Sequence, residues 1–288
     1  MPNILTAAAD VLGPLLPARW RSDIPVVPVV RFSGVIGAAV PLRPGLGLAT
    51  TAKMLERAFG TRNARAVAMV INSPGGSPAQ SHLILQRVRQ LAMEKKLPVL
   101  AFIEDIGASG GYMLACAADE IIADPYSMVG SIGVVGGSFG FDRLIEKVGI
   151  ERRLYTSGDR KAMLDPFLPE KPEDVKRLKA IQKEIHELFI ALVKERRGGK
   201  LNGTDKNLFS GEFWTAQTAL ELGLIDNIGD LRSFLRARFG DKVRTPLISG
   251  ERSWFGRRLP GIDNLTPALA HELISALEER AYWSRYGL

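Results

Sequence analysis

The residues with the clearest chemical potential sit in two glycine-rich turns, each placed between an apolar run and a helical pattern. In Ala108-Ser109-Gly110-Gly111-Tyr112 one hydroxyl is followed by two glycines. The preceding Pro98-Val99-Leu100-Ala101-Phe102-Ile103 is almost wholly apolar, which marks a strand covered on both faces. The following Tyr112 to Ala118 is apolar all round and reads as a buried helix. Ser109 then stands at a helix N-terminus, where free N–H groups and the helix dipole favour a developing negative charge. Helix capping is the competing reading, and for a lone serine it is the commoner one. The second turn, Ser73-Pro74-Gly75-Gly76-Ser77-Pro78, follows the apolar run Ala66–Ile71 and precedes a helical pattern carrying Leu83, Leu85, Val88 and Leu91. Paired glycines let a backbone approach a ligand closely with its N–H groups exposed. Parallel strands would bring both turns to one edge of the sheet, where ligands gather. Together the turns suggest a nucleophile beside an oxyanion hole, whereas Gly75-Gly76 alone reads as an ordinary tight turn.

A nucleophilic serine needs a base. The chain has three histidines, His82, His186 and His271. His82 lies one and a half turns into the helix after the glycine turn, His186 inside a long polar helix, and His271 in a C-terminal amphipathic segment. Each reads more readily as a surface or partly packed histidine than as the base. Lysine is the alternative, since it activates serine on several folds. An amine with an ordinary pKa near ~10.4 must then be brought to about 7–8 by desolvation or a neighbouring cation.

With these turns stand Ile71-Asn72 ahead of the first, then Gly130-Ser131-Ile132-Gly133-Val134 and Ser157-Gly158-Asp159-Arg160-Lys161. In this order the set resembles the signal peptide peptidase A family of serine proteases. The resemblance runs from about Val26 to Gly229 and closes on Ala216 to Asp226, similar to the family's end-of-domain signature. It implies that Ser109 is the nucleophile, that Lys161 is the general base, and that Ser131 hydrogen-bonds the lysine amine. The oxyanion hole would be formed by the backbone N–H groups of Gly110 and of Gly76, with Gly75 the second choice. Lys161 departs from the family pattern in its neighbours, Arg160 and Ala162 replacing the Tyr and Asp often found there, and Asp159 adding a charge. The resemblance further implies an ATP-independent peptidase acting on remnant signal peptides or other unfolded segments. In single-copy relatives the subunits close into a ring whose lysine can come from the neighbouring protomer.

The elements that must position these residues alternate strand and helix from Ile24 to Ala123, with short strands expected around Met128–Val135 and Arg152–Thr156 and a helix around Phe141–Val148. Such alternation argues for an α/β protein of stacked βαβ units, resembling the crotonase and Clp-protease-like fold. Pro172 to Arg197 reads as one long amphipathic helix with Val175, Leu178, Ile181, Ile185, Leu188, Phe189 and Leu192 on one face. That stripe serves either its own domain or a neighbouring copy. Residues 242–260 read as loop and Asn264–Tyr286 as an appended C-terminal helix. The expected organisation is an N-terminal amphipathic segment 1–23, a peptidase domain 24–240 and a C-terminal extension 241–288.

Composition agrees with a globular chain. Its 288 residues are 46% hydrophobic and 24% charged, with a formal net charge of +7. The basic residues are scattered and no nucleic-acid motif appears, so the charge reads as a solvated surface and nucleic acid is not an expected partner. No P-loop and no metal-ligand cluster is evident, and no cofactor is expected. The lone Cys116 reads as a small core residue. Residues 4–16 are apolar but broken by Asp10, Gly13 and Pro14, too short to span a bilayer and without the basic start of a signal peptide. An interfacial helix ending at Trp20, with peripheral membrane contact, and an ordinary packing helix are both open; the location expected is cytoplasmic or peripheral to a membrane. Two further functional readings stay open. One is a crotonase-type acyl-CoA enzyme, whose twin-turn oxyanion hole would look alike; the other is a non-catalytic scaffold.

Overall fold

The computed structural model describes residues 24–37, 45–249 and 280–288. The expected N-terminal segment 1–23, residues 264–279 of the expected C-terminal helix, and His271 lie outside the described residues. Five strands form the main layer in the order β1 (Val29–Ser33), β2 (Val67–Ser73), β3 (Val99–Ala108), β4 (Glu120–Ala123) and β7 (Asn227–Ile228). All neighbours in it are parallel. β5 (Met128–Gly130) pairs with the far end of β3, and β6 (Phe213–Thr215) runs antiparallel to β5. The helices are α1 (Leu48–Phe59), α2 (Pro78–Lys95), α3 (Gly110–Ala115), α4 (Asp142–Lys147), α5 (Pro172–Arg197), α6 (Asp205–Leu208), α7 (Ala216–Glu221) and α8 (Leu231–Phe239).

The near-continuous apolar character of β2 and β3 follows from cover on both faces. Met69, Ile71, Ala101 and Ile103 share one core with Leu55 of α1, Ile84 and Val88 of α2 and Leu114 of α3. Ala68, Val70, Leu100 and Phe102 point the other way, toward Leu235 of α8. There Phe102 meets Phe234 edge-on at 5.7 Å.

The decisive irregularity is in β3. Ile71 pairs with Ile103 but Ser73 with Gly107, so two steps along β2 are matched by four along β3. Such a bulge bends the strand and ends its pairing with β4. Beyond it Ile106, Gly107 and Ala108 pair instead with β5. At the bulge the Ser127 hydroxyl reaches the carbonyls of Ile103 and Glu104, and the Ile103 carbonyl also accepts from the Asp124 N–H. One strand therefore belongs to two layers, and Ser109 stands at its end.

Three local expectations differ from the structure. Arg152–Thr156 forms no strand: Tyr155 is 91% exposed, and no described strand lies beside the segment to complete a ladder. The strand expected over Met128–Val135 stops at Gly130, because Ser131 adopts φ +54° and gives its N–H to the Glu212 carbonyl. On α5, Leu188 faces solvent, whereas Phe189 and Val193 enter the main core. The lower half of α5 thus packs on its own domain. Its upper half, at Val175 and Leu178, faces a cleft against residues 136–142 and 159–171. Cys116 is buried, and burial pushes its thiol up to about 12.

The closing Leu224-Ile225-Asp226 segment anchors the end of α5. Arg197, buried, bonds Asp226 at 2.7 Å and the Gly223 carbonyl at 2.7 Å, while Lys200 and the Ile121 N–H also reach Asp226. Burial alone would raise the Asp226 carboxyl; the bonds from Arg197, Lys200 and Ile121 outweigh it and hold it below the usual carboxylate range. Asp226→Ala strands a buried guanidinium and should cost about 3–5 kcal/mol in urea unfolding. The sign with pH follows from the lowered value. The wild-type contribution is whole above about pH 4, the ordinary carboxylate range, and is lost as pH falls through the folded value. The variant should therefore show a flatter acid limb in its stability profile.

Candidate active site

Ser109 ends β3 and opens α3 with φ +53° and ψ −120°, a conformation that costs a non-glycine residue about 1–3 kcal/mol. Its N–H donates to the Gly130 carbonyl at 2.8 Å and its carbonyl accepts from Met113 at 2.9 Å. The backbone is thus fixed at both ends, and the side chain makes no capping hydrogen bond. Capping, the commonest role for a serine in this place, is not what Ser109 does.

The two glycine turns abut. A Cβ on Gly75 would lie 2.8 Å from Ser109 Cβ and 2.9 Å from the Gly110 nitrogen. One on Gly110 would meet Ser81 Oγ at 2.5 Å and stand 3.4 Å from the Gly76 nitrogen, and one on Gly111 would meet the Ser73 carbonyl at 2.4 Å. Close approach of backbone to backbone is what fixes these positions as glycine. Gly75 donates its N–H to Ser73 Oγ and accepts from the Ile36 N–H. The N–H groups of Gly76 and Gly110, by contrast, donate to no described residue. Two unpaired donors beside one hydroxyl are the parts of an oxyanion hole. Gly76 is fitted to the role better than Gly75, whose N–H is already committed.

Ser131 follows the residue that anchors the Ser109 backbone. It is 7% exposed, and its hydroxyl accepts from Tyr286 at 3.2 Å. Trp214 of β6 packs so closely on Gly130 that a Cβ there would be 2.7 Å from the ring. Lys161 is placed differently. It is exposed, its amine bonds no described residue, and the cleft of about 520 Å³ that it lines is built from residues 154–166 alone. Asp159 and Arg160 are exposed beside it. The segment around it carries its own small cluster, with Phe141 stacked on Phe167 at 5.6 Å and Arg152 paired to Asp165. Within one chain the structure joins Ser109, Gly75, Gly76, Gly110 and Ser131, and leaves Lys161 apart.

No described histidine stands in for the base. His82 is exposed and bonds Gln86, and His186 Nε2 bonds the Ile132 carbonyl at 3.0 Å. Two contributors escaped the sequence reading. Ile36 clasps the Gly75-Gly76 turn from β1's end, its carbonyl accepting from Ser77 at 2.8 Å. Its place in an apolar stretch gave no sign of this. Tyr286 read only as the last residue of the expected C-terminal helix.

The model of peptidase family S49 matches residues 92–238, the stretch that holds Ser109, Ser131 and Lys161. A Brucella abortus protein named Na(+)/H(+) antiporter NhaA is 54% identical over 98% of this chain, but the match covers 40% of that protein. The "Probable protease SohB" of Buchnera aphidicola is 30% identical over 70% of this chain and 56% of its own. The chloroplastic serine protease SPPA of Arabidopsis thaliana is 30% identical over 71% of this chain and 31% of its own. The chain thus spans about two fifths of the length of the first of these relatives. Among the described residues, no helix is long and apolar enough to cross a membrane.

Proposed function

The chain belongs to peptidase family S49, and on that premise we propose that it hydrolyses peptide bonds with Ser109 as nucleophile and Lys161 as general base. The observation that carries the reading is the strained Ser109 beside two N–H donors, Gly76 and Gly110, that bond no described residue. Ser109 Oγ adds to the scissile carbonyl carbon as its proton passes to the neutral lysine amine. The carbonyl oxygen takes the negative charge between the two N–H groups. Collapse expels the amine of the peptide with the lysine's proton and leaves an acyl-serine. Water, deprotonated by the same lysine, then releases the acid and regenerates Ser109.

In this reading Ser131 holds the lysine amine, and Lys161 arrives from a neighbouring copy in a homo-oligomeric ring. The support is the segment that carries it. Val135, Phe139, Val148 and Tyr155 are 60–91% exposed there, more apolar surface than an isolated chain ordinarily leaves in water. The substrates are extended peptides, remnant signal peptides among them, because a folded chain does not present its backbone to a turn so closely walled by Ile36 and Gly75-Gly76.

A fluorophosphonate probe tests the chemistry. Wild type should label on Ser109 and Ser109→Ala should not, and the labelled residue can be read by peptide mass. An acyl-CoA enzyme built on the same twin turns would ignore the probe. Absence of label from the assembled wild-type protein would sink the nucleophile assignment.

A further inference from the structure

The bulge in β3 leaves one residue of β2 without a partner on that strand. Ile71 pairs with Ile103 and Ser73 with Gly107, so Asn72 lies opposite the stretch 104–106 and has no rung of its own. Its side chain supplies one. The Asn72 amide donates from Nδ2 to Asp105 Oδ2 at 2.6 Å. On the other side Asn72 is held by the end of β1: its carbonyl accepts from the Gly34 N–H at 3.0 Å, while Ser73 Oγ donates to the Gly34 carbonyl at 2.7 Å. Glu104, next to Asp105, is gripped by both terminal nitrogens of Arg31, at 2.5 and 2.8 Å. Asn72 stands four residues before Gly76, and Asp105 four residues before Ser109. We infer that Asn72 and Asp105 form a clasp that sets the spacing of the oxyanion turn and the nucleophile, which makes them positioning residues for the hydrolysis.

The inference rests on the Ser-Lys reading above. A bulge beside an active site re-aims the side chains that follow it, and that is useful only when the bulge holds one geometry. The two glycine turns already abut, Gly75 against Ser109, so a small slide of β3 along β2 moves Ser109 relative to the Gly76 N–H. A misplacement of about 1 Å can cost on the order of 10²-fold in rate. The Asn72 side chain is poorly suited to serve the core alone. Its Oδ1 is buried and bonds no described residue. A purely structural position would avoid that cost by carrying an apolar residue of similar shape. What the amide has and leucine lacks is a donor aimed at Asp105. That carboxylate is exposed, so the bond between them ties two strand ends together without adding to the core.

Four variants of the full chain test the clasp: Asn72→Leu, Asp105→Ala, Asp105→Asn, and Asn72→Leu with Asp105→Ala. Asn72→Leu removes the donor together with the buried unpaired carbonyl, and Asp105→Ala acts at an exposed position, so both should melt close to wild type. Each should lower kcat on an unstructured peptide by about tenfold or more with KM little changed, since binding the peptide does not need the nucleophile in place. The double variant should be no slower than the slower single one, because both remove the same bond. Asp105→Asn, whose side-chain carbonyl still accepts from Asn72, should recover most of the rate. Amide exchange at Ser109, whose N–H bonds the Gly130 carbonyl, should quicken in Asn72→Leu and Asp105→Ala, a readout that needs no activity. Unchanged kcat and exchange in those two variants overturn the clasp. So does a fall in kcat that tracks a fall in melting temperature, with Asp105→Asn no better than Asp105→Ala. A wild type that neither labels with fluorophosphonate nor cleaves peptide overturns the Ser-Lys reading, and the clasp's part in hydrolysis with it; the difference in Ser109 exchange would then persist alone.

Discussion

Ser109→Ala and Lys161→Ala should each lower kcat/KM for peptide cleavage by about 10⁴-fold, the scale on which members of a catalytic unit fail singly. The two losses have different structural meanings. Ser109 is fixed by backbone bonds at both ends, and alanine keeps the Cβ and with it the strain at φ +53°, so the variant keeps the fold. Lys161 is exposed and bonds nothing described, so its loss leaves stability unchanged. Both variants should melt as wild type does, which separates a chemical loss from unfolding. Mixed and reassembled, the two inactive proteins should regain part of the activity, because the proposed ring, built from both types, would place some intact lysines beside some intact serines. Absence of complementation, together with an active monomer on sizing, would refute the shared site.

Gly76→Ala carries the second large effect. Its φ of +135° is closed to a side chain, and the added Cβ would lie 2.1 Å from the Ile36 carbonyl. Either the turn or Ile36 must move, and the free N–H moves with it. Loss of one oxyanion donor costs about 10²–10³-fold in kcat. The fall should appear in kcat with little change in KM, since the donor acts on the tetrahedral intermediate more than on the bound peptide. Gly137→Ala is the control: a Cβ there meets nothing within 4 Å, and activity should be unchanged. A loss confined to KM would point to the turn as a binding element alone.

Much of this was legible in the residues, for reasons that differ from place to place. The apolar runs of β2 and β3 announce strands covered on both faces, and the paired glycines announce backbones in close approach. Both are local signals, and both are met. The β3 bulge is not local. Nothing in Ile103–Gly107 marks where pairing passes from β4 to β5, because the switch depends on which partner strand is present. The Arg152–Thr156 expectation failed for a related reason: a strand-like sequence needs a neighbour, and the described residues supply none. Leu188 falls on the apolar stripe by periodicity yet faces solvent, while Phe189 of the same stripe turns inward together with Val193, which the stripe did not include. The tie between Tyr286 and Ser131 spans 155 residues, and no spacing rule reaches that far.

The placement of Ser109 and Lys161, the proposed nucleophile and base, has a thermal consequence. Ser109 is carried by the strand that both layers share, so it is released only when the whole domain opens. Lys161 is carried by a segment whose side chains are mostly exposed, and such regions open at a small fraction of the global free energy. On gentle warming the protein should therefore stop working before it unfolds, its nucleophile still in register and its far-ultraviolet spectrum still native. Cooling should restore full turnover without refolding, because what was lost is only the encounter between a rigid half and a loose one.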